Sequence, residues 1–129
     1  MTTRPIISTF DSDRLEPLLL TSAIDAPVLR VRSLLERARR VAPPRMPPDI
    51  VTMNSRVLVR YPGEEEGEAY DLAFPDSSAG GLSVFSPLGA ALLGAREGES
   101  VECAGSRVSR RVTVERIEYQ PERERHFDR

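Results

Sequence analysis

Lysine and tryptophan are absent from this 129-residue chain, and cysteine and histidine occur once each. A single cysteine excludes an intrachain disulfide and agrees with a reducing compartment. Cys103 falls in an alternating segment, where a thiol serves as a small apolar filler. A lone histidine, His126, supplies neither a metal site nor a proton relay without partners. Long apolar runs are missing too. The uncharged, mostly apolar stretch Leu88 to Ala95 is far shorter than the roughly 20 residues of a membrane span. The opening Met1-Thr2-Thr3-Arg4-Pro5 lacks the apolar centre of a secretory signal. These absences point to a soluble, cytoplasmic protein with no membrane partner. There is no GxxxxGK[ST] loop, no CxxC and no GxSxG, and Gly80-Gly81 reads as a turn. No catalytic residue, metal ligand or cofactor is therefore expected.

All 18 positive side chains are arginines, and they are unevenly spread. Residues 1–48 carry eight arginines against five acids, a balance of +3, whereas residues 49–129 carry ten against fifteen, a balance of −5. Between the two lies Ala42-Pro43-Pro44-Arg45-Met46-Pro47-Pro48, which reads as a stiff, extended connector.

The first half carries two helix patterns. Asp13-Arg14-Leu15-Glu16 has the form of a capping box, and Leu15, Leu18, Leu19 and Ala23 would make the apolar face behind it. Asp25-Ala26-Pro27 is a second start, with Val28, Val31, Leu35, Ala38 and Ala42 at heptad-like spacing. Joined by a few residues, the two predict a short antiparallel hairpin. The second half changes to a period of two. Strands are expected at 56–61, 69–74, 82–85, 100–103 and 111–119, with Ala104-Gly105-Ser106 connecting the last two. Ser86-Pro87 opens one short helix over 88–93, closed by Gly94. The fold class is α+β: a helical hairpin and connector over 1–48, an antiparallel sheet packed on one short helix over 49–122, and a disordered tail over 123–129.

Three runs are distinctive in this order and spacing: Val51-Thr52-Met53-Asn54-Ser55-Arg56-Val57, the stretch from Leu82 to Gly94, and Ile117-Glu118-Tyr119-Gln120-Pro121-Glu122. Together they resemble the Rnk family, regulators of nucleoside diphosphate kinase, which shares its C-terminal domain with the transcript-cleavage factors GreA and GreB. The resemblance implies an FKBP-like fold for the second half and bacterial RNA polymerase as partner. Gre-type proteins seat this domain on the rim of the secondary channel and point the hairpin inward. The rim-contacting segment matches Phe85-Ser86-Pro87-Leu88, with Phe85 where Gre factors usually have a small polar or acidic residue. FKBP-like folds also include prolyl isomerases, but their aromatic pocket with its tryptophan floor has no counterpart here.

Gre-stimulated cleavage requires tip carboxylates that help hold Mg²⁺. The tip here, residues 20–27, offers only Asp25, which the sequence already assigns as a helix cap. The second helical segment carries Arg30, Arg32, Arg37, Arg39 and Arg40 against Glu36. Of these, Arg30, Arg37 and Arg40 are the expected contacts to acidic polymerase surface, although a plain solvated face reads equally well. Direct DNA binding is not expected, because no aromatic residues interleave the arginines. The expectation is a non-enzymatic regulator that competes with Gre factors. Two alternatives stand beside it: a Gre-like cleavage factor using Asp25, and an interaction protein acting on nucleoside diphosphate kinase or nucleotide metabolism.

Overall fold

The computed structural model describes residues 4–77, 79–104 and 109–127. Ile6–Ser8 (β1) and Arg39–Val41 (β2) form a parallel pair, Ile7 opposite Arg40. Parallel strands cannot be joined by a tight turn. The crossover here is a pair of helices, Thr9–Thr21 (α1) and Ala26–Arg37 (α2). The N-cap of α1 is Ser8, whose Oγ accepts from the Asp11 amide at 3.0 Å, so the helix begins well ahead of Asp13. Ser8 and Asp11 have capping-box spacing as good as that of Asp13 and Glu16. The earlier box prevails because Asp11 is buried with a tertiary partner, while Asp13 is exposed.

The start of α2 agrees with the sequence: Asp25 Oδ1 accepts from the Val28 amide at 3.1 Å, and Pro27 lies in the first turn. Its end does not. The apolar spacing runs on to Ala42, but Ala38 is a buried C-cap, after which the chain extends to pair with β1. Arg39 and Arg40 are therefore strand residues, not helical ones. The proline-rich stretch is a packed turn, with a 3₁₀ turn at Pro43–Arg45 and Met46 buried behind it.

The main sheet contains Arg56–Arg60 (β3), Glu68–Ala73 (β4), Leu82–Ser83 (β5), Ser100–Ala104 (β6) and Ser109–Tyr119 (β7), in the order β5-β4-β3-β7-β6. It is antiparallel apart from β5, which runs parallel to β4 with Leu82 opposite Leu72. Two register shifts between β3 and β7 curl it. Pro87–Leu92 forms the short helix (α3). In the expected β6–β7 connection, Gly105 and Ser106 lie outside the described residues. Over 121–125 the chain makes turns, and His126 Nδ1 shares a 2.7 Å hydrogen bond with the Tyr119 hydroxyl. The segment expected to be a disordered tail is thus placed as far as residue 127.

One hydrophobic core serves both halves. Leu15, Leu19 and Val31 from the helices join Val57, Val59 and Val114 from the sheet. The helices are consequently part of the domain rather than a stem projecting from it. On the exposed sheet face, Arg56 pairs with Asp71 at 3.1 Å and Glu118 at 3.3 Å, and Arg60 with Glu115 at 2.8 Å. Such exposed pairs each contribute at most about 1 kcal/mol.

Candidate functional site

The segment Phe85–Leu88 is held by its own hydrogen bonds. Ser86 Oγ donates to the Ser83 carbonyl at 2.6 Å and accepts from the Gly89 amide at 3.1 Å, fixing the turn from β5 into α3. Pro87 occupies the first helical position and is exposed. Leu88 is buried, and Phe85 is half-buried against the core. Of the four residues, Pro87 is therefore the exposed one, Phe85 and Ser86 are half-buried and Leu88 is buried. Ser86→Ala should lower stability by about 1 kcal/mol through the lost cap. An unchanged urea midpoint would contradict that role.

At the turn between α1 and α2, Leu20 is 84 % exposed and Ile24 75 % exposed, with Leu29 nearby at 46 %. These are the exposed large hydrophobics of the described residues, and all three lie at one end of the helix pair. Sequence reasoning passed over them, although Leu20 and Ile24 fall outside the apolar stripes read for both helices. Asp25, exposed in their midst, caps α2. The arginines divide. Arg30 and Arg37 line one cleft between α2 and α3, and Arg30 Nη1 donates to the Glu102 carbonyl. Arg40 is not among the cleft's lining residues and pairs with Glu16 of α1 at 2.6 Å.

A buried polar cluster joins the helices to the sheet domain. The Thr52 hydroxyl donates to Glu122 Oε1 at 2.8 Å and lies 2.9 Å from Ser55 Oγ, which itself accepts from the Thr52 amide at 3.0 Å. Gln120 Nε2 donates to the carbonyls of Pro47 and Ile50 at 2.8 and 2.7 Å. Asp11 reaches in from α1, and its Oδ2 accepts from the Met53 amide at 3.0 Å. Among the described residues its Oδ1 has no hydrogen-bond partner. Burial first, and the neighbouring Glu122 carboxylate second, push Asp11 up to about 7, against the opposing effects of the Met53 amide, Arg14 and Ser8. Burial likewise raises Glu122. The cluster was not legible in the sequence because its members lie far apart in the chain. The one signal was a set of polar residues between apolar ones at 52–55 and 120–122.

The distinctive runs thus hold the fold together: the first and last grip each other through Thr52 and Glu122, and the middle one sets the start of α3. The family model for the C-terminal part of the transcription elongation factors GreA and GreB matches residues 46–119, the span containing these runs up to Tyr119. The chain belongs to this GreA/GreB family. The proteins named "Regulator of nucleoside diphosphate kinase" from Escherichia coli strain K12 and from Shigella flexneri are each 40 % identical to it over 125 residues, covering 91 % of this chain and 90 % of theirs. The resemblance to the Rnk branch is therefore borne out. Among solved structures, a prokaryotic transcription elongation factor GreA/GreB from Nitrosomonas europaea matches with a TM-score of 0.75 at 33 % identity, over 92 % of this chain and 100 % of that one. The α+β fold class agrees. These GreA/GreB relatives are named as factors and regulators rather than enzymes. No helix of the described residues is long and apolar enough to cross a membrane.

Proposed function

We propose that this protein is a transcription regulator that docks on bacterial RNA polymerase at the rim of the secondary channel, occupies the entrance used by Gre factors, and does not stimulate transcript cleavage. The observation that carries the reading is the chemistry of the helix-pair tip. It presents Leu20 and Ile24 to solvent with one carboxylate, Asp25, already engaged by the Val28 amide. Mg²⁺ takes carboxylate oxygens in a strict octahedral shell, and among the described residues no three His, Cys, Asp or Glu side chains converge. The helices are also short. With 13 and 12 residues they extend only about 20 Å, and their packing into the core shortens their reach further. In this reading Pro87 and Phe85 meet the rim, Ser86 and Leu88 hold them in place, and Arg30 and Arg37 supply positive charge toward acidic polymerase surface. Arg40 takes part only if its Glu16 pair opens.

The test is a stalled elongation complex of bacterial RNA polymerase titrated with this protein, with and without a Gre factor, following complex formation and RNA cleavage together. Binding that suppresses Gre-dependent cleavage and produces none is the expected result. Replacing both Leu20 and Ile24 by Ser should weaken binding by about tenfold or more while leaving thermal stability unchanged, since both side chains are already solvated. Cleavage that is lost on Asp25→Ser, a change that keeps the cap, would instead make this a Gre-like cleavage factor. Absence of binding would remove the polymerase reading and leave the kinase-regulator name of the relatives to be tested.

A further inference from the structure

We infer that the cleft between α2 and α3 is a binding site for a small molecule carrying two or three linked phosphates, of the nucleoside di- or triphosphate class. The cleft has a volume of about 490 Å³ and is lined by Arg4, Arg30, Arg37 and Arg96, with Glu99 as the one acid. That volume falls within the range of small-molecule sites, roughly 300–1,000 Å³. The fold brings the arginines together from three places. Arg30 and Arg37 are seven residues apart on α2 and so share one face. Arg4 precedes β1, and its Nε donates to the Arg37 carbonyl at 2.9 Å. Arg96 follows α3, and its amide donates to Glu99 Oε1 at 3.1 Å.

Charge is what singles this cleft out. The chain as a whole has a net charge of −2, and Arg56 and Arg60 of the sheet face are neutralised by carboxylates. In the cleft only Arg96 has such a partner, Asp49 at 3.6 Å. Among the described residues no carboxylate lies within ion-pair distance of Arg4, Arg30 or Arg37. Three unneutralised guanidiniums facing one concave space repel one another until an anion enters. Their planar forks suit the paired oxygens of a phosphate chain. Two of them are already oriented by carbonyls, Arg4 by that of Arg37 and Arg30 by that of Glu102, which reduces the ordering cost of binding.

The rest of the lining selects among phosphate compounds. Leu34, Ala90 and Leu93 form an aliphatic floor against which a flat base or sugar face can rest. The lining contains no aromatic residue, so the base-stacking platform of single-stranded nucleic-acid binders is missing.

Isothermal titration of the full chain with GDP, ADP, pyrophosphate, guanosine and a single-stranded RNA oligonucleotide tests the site. A submillimolar Kd for a nucleoside diphosphate and no binding of guanosine is the expected result. Pyrophosphate binding weaker by about tenfold would assign part of the affinity to the aliphatic floor, whereas equal binding would identify free linked phosphate as the ligand of the same site. Arg37→Gln and Arg4→Gln should each weaken binding by about tenfold or more with unchanged unfolding temperature. Arg40→Gln, which removes a positive charge outside the cleft, should leave it intact. The inference is overturned if none of the phosphate compounds binds at millimolar concentration. It is equally overturned if only the RNA binds, or if Arg40→Gln weakens binding as much as Arg37→Gln.

Discussion

Asp11→Asn should make the protein more stable at pH 8 and remove most of a loss of stability that the native chain undergoes as pH rises. The Asp11 side chain is fully buried, and its carboxyl is pushed up to about 7 by that burial and by Glu122. In the unfolded chain the same carboxyl returns to its ordinary value of 3.8. Between these values the native state holds a proton that the unfolded state has released, so stability falls with rising pH. The contribution is fully present below about pH 4 and lost as pH climbs through about 7. Its size is on the order of 4 kcal/mol at pH 8 as an upper bound, a large fraction of a domain's total stability. Glu122, also raised by burial, acts in the same direction. Asparagine keeps an oxygen for the Met53 amide and removes the charge. Urea unfolding of both proteins at pH 5, 6, 7 and 8 should give curves that converge at the acid end and separate at the alkaline end. Parallel curves, or a variant weaker than the native chain at pH 8, would show that Asp11 is not the group responsible.

The second large effect concerns Gly89, inside α3. A Cβ at this position would lie 2.0 Å from the Ser83 carbonyl oxygen, 2.8 Å from the Ser83 carbonyl carbon and 3.0 Å from Ser86 Oγ. In a free helix Gly→Ala stabilises by about 1 kcal/mol. Here the obstacle is backbone at the junction of β5 and α3, which cannot rotate away as a side-chain end could. Overpacking therefore outweighs propensity, with an expected cost of about 3 kcal/mol and a fall in unfolding temperature on the order of 10 °C. In the docking proposed above, polymerase binding should weaken too, because the shift would displace Phe85 and Pro87. Differential scanning calorimetry decides the matter, since an equal or higher unfolding temperature would mean that the junction relaxes at no cost.

Much of the sheet was legible because apolar and polar residues alternate in β3 and β7, whose Val57, Val59, Val112 and Val114 are buried, and more weakly in β6, where Val101 and Cys103 are half-buried. The parallel pair β1 and β2 was not. Each strand has three residues, too few to establish a period, and β1 passes into α1 without a break. The end of α2 was overestimated for a related reason: apolar spacing continues through Ala38 to Ala42, and only the tertiary demand of pairing with β1 ends the helix. For the candidate site, the sequence located Asp25, Ser86 and Pro87 because caps and prolines act locally. It was silent on the company each arginine keeps. Arg40 and Arg37 look alike in the sequence, yet one meets Glu16 and the other lines the cleft. Such differences arise from crossover geometry, which no local pattern encodes.

Because the helices are embedded in the same core as the sheet, the apolar tip is presented in a fixed position before any partner arrives. A long projecting coiled coil loses bending freedom when it enters a channel; this compact arrangement has little of that freedom left to lose. Association is then an encounter between preformed surfaces, governed by how often they meet in the right orientation. In the docking proposed above, the lifetime of the complex would fall to the few side chains, Leu20 and Ile24 foremost, that leave water on contact.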